Sequence, residues 1–352
     1  MTVFTLRSDS DAHAEAGHPE RPERRAAIQA RLAADPVLVA ARETGRLVRI
    51  EGAEATAEAL LRVHTPDHIL LLDVLAAQGG GHADADTYVT AASPRIARET
   101  CGDLVACVDA VMTGAAVNAF ALGRPPGHHA RPSTPMGFCL LSNVAVAARH
   151  AQAVHGATRV LIVDIDVHHG NGTEEAFYAD PDVVFFSSHQ GGLYPGTGQT
   201  GDIGAGAGRG ATVNLPVPAG TDDAGLVGAY RRLLPALAAR VRPDLVLLSA
   251  GYDAHRLDPL GGLALSVAGL TDVVRVVAEV SDRYAGGRLV ACLEGGYHAM
   301  AEGGGALAHG VASTLRVLLD PAAEATDPFG PARAPGPDVS AVVDAVAGLH
   351  GL

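Results

Sequence analysis

Eight short, mostly apolar runs recur along the chain, at 3–6, 47–50, 115–122, 159–167, 182–189, 212–217, 244–250 and 288–293. A strand wet on one face alternates apolar and polar residues; these runs do not, so both faces are expected to be covered. Between them lie Ala-, Leu- and Arg-rich stretches with helical spacing, at 20–34, 54–77, 94–113, 142–155, 222–241 and 267–285. Parallel strands need crossover connections, and these stretches supply them. The pattern predicts an α/β chain: a single domain with a parallel sheet of about eight strands flanked by helices. Its function is expected at the carboxyl ends of the strands. The domain is expected to span 1–320. The Pro/Ala-rich stretch 321–337 reads as a linker, and 338–352 carries a last helix that docks back. The Gly-rich segments 79–86 and 201–210 read as loops; the second lacks the register of a phosphate cradle.

Composition narrows the chemistry. The formal net charge is −13, and none of the 352 residues is Lys, so all 26 basic side chains are Arg. No lysine nucleophile, Schiff base or P-loop lysine is possible, and an acidic chain is a poor general nucleic-acid binder. The four cysteines, Cys101, Cys107, Cys139 and Cys292, form no C-x-x-C pair and fit a reducing, cytoplasmic setting. The start MTVFTLRSDSD lacks the pattern of a signal peptide, and no apolar stretch is long enough to span a membrane.

The run at 159–167 ends in DIDVHHGNG. Asp164, Asp166 and His168 stand at i, i+2 and i+4 and share a face if the strand reaches them. Aspartate and histidine are zinc ligands, but they also cap helices and settle in loops. Other strand ends add to the set. The run at 244–250 leads into YDAHRLDPLGG, with Asp253, His255 and Asp258. The run at 288–293 leads to Tyr297 and His298, and the run at 115–122 leads to RPPGHHA, with His128 and His129. Four strand ends thus offer metal ligands, bases and a phenol.

RPPGHHA (124–130), MGFC (136–139), DIDVHHGNGT (164–173), YPGTG (194–198), SAGYDAHRLDPLGG (249–262) and EGGY (294–297) together resemble the zinc-dependent histone deacetylase-like amidohydrolases. The likeness runs from HPERPERR (18–25) to about residue 315. It implies an arginase-like fold and one Zn²⁺ per chain on Asp166, His168 and Asp258. Asp253 and His255 are rival ligands in the same stretch; the resemblance points to the acid just before Pro259. It further implies that His128 pairs with Asp164 and His129 with Asn171. A carboxylate raises an imidazole's pKa and a neutral amide does so far less, so His128 is expected charged and His129 neutral, the general base. Tyr297 would donate to the oxyanion. Phe138 and Tyr194 would flank the acyl-lysine stem, and the Gly137 carbonyl would accept the substrate amide N–H. Asp86 would clamp the substrate backbone, or else is a surface acid. Arg24 would line an inner acetate pocket, or else is a surface cation. Asp164, Asp166, His168, Ser187 and Ser188 match a structural potassium site. The remaining histidines His13, His18, His64 and His68 read as structural.

The expected activity is removal of acetyl or other acyl groups from lysine side chains. The first alternative is an acetylpolyamine amidohydrolase; the short 79–94 stretch, and Ala268 where a selective glutamate is expected, argue against it. The lack of a D-A-H-x-D pattern and the presence of only three convergent ligands argue against an arginase-type ureohydrolase, which shares the fold. An alternative of another class is a non-catalytic binder of acyl-lysine. Substrates rather than nucleic acid or membrane are the expected partners.

Overall fold

The computed structural model describes residues 1–7, 10–300, 304–325, 327–330 and 335–352. Its strands are β1 (Thr2–Thr5), β2 (Leu47–Arg49), β3 (Gly80–His82), β4 (Tyr88–Thr90), β5 (Asn118–Ala121), β6 (Val160–Asp164), β7 (Val183–Gln190), β8 (Thr212–Val217), β9 (Leu245–Ala250) and β10 (Leu289–Leu293). The pair β3–β4 is a small antiparallel hairpin, where a plain loop was expected. The other eight form one sheet in the order β2-β1-β5-β10-β9-β6-β7-β8, with every neighbour parallel. All eight coincide with the apolar runs.

The helices are α1 (Pro22–Ala34), α2 (Pro36–Glu43), α3 (Ala57–Leu61), α4 (Pro66–Ala77), α5 (Ser93–Met112), α6 (Asn143–His155), α7 (Asn171–Phe177), α8 (Asp223–Val241), α9 (Val267–Tyr284), α10 (Gly305–Leu319) and α11 (Ser340–His350). The single helix expected over 54–77 is two. Thr65 accepts from the His68 N–H as an N-cap, and Pro66 starts a new helix behind it. Asp35 and Pro36 likewise begin α2 directly after α1.

Side chains alternate across the sheet, and each face has its own core. Val160 and Ile162 of β6 pack with Val144, Ala147 and Ala151 of α6 and with Leu104 and Val108 of α5. Leu161 and Val163 pack on the other face, where α1, α8, α9 and α10 contribute Ile28, Leu233, Val273 and Val311. Helix α11 buries Val343, Val346 and Ala347, joining the core beside α8 and β8. The stretch before it is tied down: Asp327 accepts from Arg256 (2.8 Å), and Phe329 stacks edge-on against His255, His298 and His309. Residues 326 and 331–334 of the expected linker lie outside the described residues. Among the described residues no helix is long and apolar enough to cross a membrane, and all four cysteines are buried and free.

Candidate active site

The carboxyl ends of β5, β10, β9, β6 and β7 lie side by side in the sheet, and the loops that follow them converge. They wall a narrow cavity of about 230 Å³ whose lining includes His128, His129, Gly137, Phe138, His168, Tyr194 and Tyr297. Such a space takes a slender chain rather than a folded peptide.

The loop after β5 carries the histidine doublet. His128 Nδ1–H donates to Asp164 Oδ2 (3.0 Å), and His129 Nδ1–H donates to Asn171 Oδ1 (2.8 Å). A carboxylate and an amide oxygen can only accept here, so both rings carry their proton on Nδ1. The two environments differ in sign. Burial opposes charge on His128, but the Asp166 and Asp164 carboxylates outweigh it and hold the ring well above its ordinary value. Burial, then His128 and His168, push His129 well below its ordinary value. His129 therefore presents a free Nε2 lone pair at neutral pH. If turnover needs that lone pair, the acid limb of kcat/KM falls below about pH 6.5, the value for a free imidazole. A pH–rate profile checks this; a limb above neutrality would contradict it.

The loop itself is anchored by Glu294, which the sequence reading passed over. Its Oε2 accepts from the Gly127 N–H (2.7 Å) and the His128 N–H (3.1 Å). Burial pushes its carboxyl up to about 7, with the charged His128 pulling the other way. The sequence signal was the Glu of EGGY, quoted for its tyrosine alone.

Strand β6 ends at Asp164, so Asp166 and His168 sit in the turn beyond it rather than on the strand. There they meet Asp253. His168 Nδ1 lies 3.0 Å from Asp166 Oδ1 and 3.2 Å from Asp253 Oδ2, and single ligand atoms of the three residues lie within 4.8 Å of one another. Asp253 is fully buried, its Oδ1 accepting from the Val167 N–H (2.9 Å) and its Oδ2 facing His168 Nδ1. Asp258, the expected third ligand, lies close to the same group, near enough that burial and the Asp166 charge together push its carboxyl up. Its Oδ2 accepts from the Tyr297 N–H (2.6 Å) and the His298 N–H (3.0 Å), and its Oδ1 from the Leu260 N–H (3.0 Å). Three accepted bonds leave acceptor capacity on a carboxylate, so the anchored Asp258 can still serve a metal. His255, the other rival, stacks with Phe329 instead.

The electrostatics of the trio ask for a cation. Burial and the neighbouring Asp166 push Asp253 up to about 7. Burial opposes charge on His168, yet its hydrogen bonds to Asp166 and Asp253 lift it to about 10. A divalent ion would replace the proton between two carboxylates and leave the imidazole neutral. The donor set of two carboxylates and one imidazole suits zinc with a coordination position left open. The surroundings leave no slack: a Cβ on Gly295 would lie 2.0 Å from Asp253 Oδ2 and 2.6 Å from Asp166 Oδ2.

The remaining expected residues fall as follows. Phe138 and Tyr194 both line the cavity, Phe138 thrust in by a turn closed between Met136 and Cys139, with φ at 68°. Gly137 is held against the dyad: a Cβ there would meet the His129 ring at 2.5 Å. Asp86 lines the mouth, its backbone carbonyl in contact with His18 Nε2 (3.0 Å). Arg24 is no surface cation. It is buried, its Nε donates to the Gly296 carbonyl (2.8 Å), and its guanidinium lies over the Tyr297 ring, 4.9 Å from the centroid. Asp164 and Ser187 are register partners on β6 and β7, while the Ser187 hydroxyl contacts His189 Nδ1 (3.0 Å) and the Ser188 hydroxyl turns to Tyr230 (2.7 Å). His169 faces away, bracing Thr197 (2.7 Å) and Glu174 (3.2 Å). His64 and His68 hold the stretch before α6: His64 Nε2 accepts from the Ser142 N–H and His68 Nε2–H donates to the Leu140 carbonyl. Ala268 lies in α9; the cavity wall near it in sequence is Leu260.

Beneath the site, Glu20 receives Arg124 through two hydrogen bonds (2.8 and 2.7 Å) and Tyr88 through one (3.1 Å), all buried. Removing one partner of such a pair strands the other's charge. Glu20→Ala should cost about 3–5 kcal/mol, read from the denaturant midpoint.

Comparison with known proteins gives the same grouping. The histone deacetylase domain matches residues 18–312. Histone deacetylase 14, chloroplastic, of Arabidopsis thaliana is 39% identical over 322 residues, covering 87% of this chain and 74% of that protein. The histone deacetylase-like amidohydrolase of Pseudomonas aeruginosa is 41% identical over 286 residues, covering 81% and 73%. Polyamine deacetylase HDAC10 of Homo sapiens is 39% identical over 332 residues, covering 89% of this chain and 46% of that protein. The crystal structure of the HDA15 HD domain superposes with a TM-score of 0.87 at 35% identity, covering 99% of this chain and 95% of that one. The chain belongs to the histone deacetylase family of hydrolases.

Proposed function

We propose that this hydrolase is a zinc-dependent deacylase that removes acetyl or other short acyl groups from lysine side chains. One observation carries the reading: His168, which lines a narrow cavity together with an unlike histidine pair, is backed by the clustered carboxylates of Asp166, Asp253 and Asp258. A zinc ion held by Asp166 and His168, with Asp258 or its neighbour Asp253 as the third ligand, would act as a Lewis acid toward the scissile carbonyl. His129 Nε2 takes the proton from the attacking water and returns it to the leaving amine. His128 keeps its positive charge beside Asp164 and stabilises negative charge as it develops. Tyr297 donates from its phenol to the oxyanion, on a backbone fixed from both sides by Asp258 and Arg24. Phe138 and Tyr194 flank the substrate stem, the Gly137 carbonyl accepts its amide N–H, and Asp86 holds its backbone at the mouth. Asp164 and Ser187, adjacent across two strands, belong with a structural potassium ion in the same reading.

Tyr297→Phe removes one oxyanion donor and should lower kcat by about 10²–10³-fold with KM little changed. Steady-state kinetics on an acetyl-lysine peptide test it.

A second reading, deacetylation of polyamines, has some support. Asp86, with Asp84 beside it, puts negative charge at the mouth, and one relative is named for that activity. The apolar Leu260 in the cavity wall favours lysine, since it offers no partner to a second ammonium group. The deciding experiment sets acetyl-lysine and longer acyl-lysine peptides beside acetylputrescine, with and without a zinc chelator. Peptide turnover above acetylputrescine turnover, lost on chelation, is the expected result. A higher kcat/KM for acetylputrescine selects the polyamine reading. Stoichiometric zinc without any amide hydrolysis leaves a binder.

A further inference from the structure

Among the described residues a second group of metal-ligating side chains stands far from the catalytic mouth. Asp109 lies in the last turn of α5, and His150 and His155 lie on α6, His155 as its final residue. Both helices lead into the amino ends of strands, so the group sits at the sheet edge opposite the cavity. His150 Nε2 is 2.7 Å and His155 Nε2 is 2.6 Å from the same oxygen, Asp109 Oδ1. Single ligand atoms of all three lie within 4.8 Å of one another. The two rings are mostly buried, 12% and 14% exposed, so their aim is fixed by packing, whereas the carboxylate is 47% exposed. The active site described above uses none of the three.

We propose that Asp109, His150 and His155 form a second metal site, for a borderline divalent cation such as zinc, that staples α5 to α6. Two imidazole nitrogens and one carboxylate oxygen are a zinc donor set, with bonds of about 2.0–2.2 Å that small ring rotations from the present spacing would reach. Each ring now reaches the carboxylate through its Nε2 proton; one cation replaces both protons and keeps all three groups in place. The remaining coordination positions face an adjoining groove of about 340 Å³ whose walls include Glu54 and Glu58. The staple has a structural consequence. Nearer their other ends the same helices hold the catalytic loop: the Asn143 Nδ2–H donates to the Pro125 carbonyl (3.3 Å), and the Thr100 hydroxyl donates to the Arg124 carbonyl (2.7 Å).

The test uses the full chain and counts metal. Zinc is titrated into the wild type by calorimetry, with melting temperature followed in parallel. The pair His150→Ala/His155→Ala and the single Asp109→Asn are compared with it. Asp109→Asn keeps an acceptor oxygen for the rings and guards against loss of folding. The wild type should bind one equivalent more than either variant at micromolar zinc, whatever the catalytic site holds, and that equivalent should raise the melting temperature. Amide hydrolysis should be the same in all three. Equal metal counts in wild type and variants, or a difference seen only at millimolar zinc, overturn the site.

Discussion

Asp253→Ala should leave the protein folded but without stoichiometric zinc, and kcat/KM should fall by more than the 10–100-fold that loss of an outer partner costs. Asp258→Asn should keep its zinc. Asp253 Oδ2 faces His168 Nδ1, with one backbone N–H on its other oxygen, while Asp258 is anchored by three backbone N–H groups. Asparagine retains one acceptor oxygen at 258, so the loss there falls on the placement of Tyr297 and stays within about 10–100-fold. Elemental analysis of both purified variants decides between them. Zinc kept by Asp253→Ala and lost by Asp258→Asn would restore the assignment drawn from the motif alone.

His129→Ala should lower kcat by about 10²–10⁴-fold with zinc retained. The ring is buried, its Nδ1 proton is committed to Asn171, and its Nε2 faces the cavity shared with His168 and Tyr297. Among the described residues lining that cavity the other two imidazoles are otherwise engaged: the Asp166 and Asp164 carboxylates favour the charged form of His128, and His168 stands in the trio with Asp166 and Asp253. A variant that kept more than a tenth of wild-type turnover would remove His129 from the role of base. His128→Ala should also be slow, and its acid limb should shift to higher pH, because a positive neighbour that holds His129 down is gone.

What the sequence could show follows from how local each feature is. The strands were legible because a strand buried on both faces has no polar residue to interrupt its run; β6 reads VLIVD and is buried throughout. Helix α7 was not, since its segment NGTEEAF begins inside the HHGNG motif and looks like loop. His128, His129, Asp164 and Asn171 paired as expected, because short motifs with fixed partners set them. The choice between Asp253 and Asp258 was not open to the same reasoning. Four residues of irregular chain separate them, and the turn after β9 buries both carboxylates. Glu294 and Arg24 were harder still: their roles lie in contacts made across 166 and 272 residues of chain.

The order of the strands has a consequence for when the protein can become an enzyme. Asp166 and His168 leave a synthesising ribosome long before Asp253, which follows β9. In the finished sheet β9 lies between β6 and β10, and Gly295, just after β10, donates its N–H to Asp166 Oδ2 (2.8 Å). A chain that has made only β6 and its neighbour β7 owns two ligands and no cage. Capture of the proposed catalytic metal would therefore be a late event, and an ion held there would report that the last strands have taken their places. A half-made chain has no competent hydrolytic centre to misdirect.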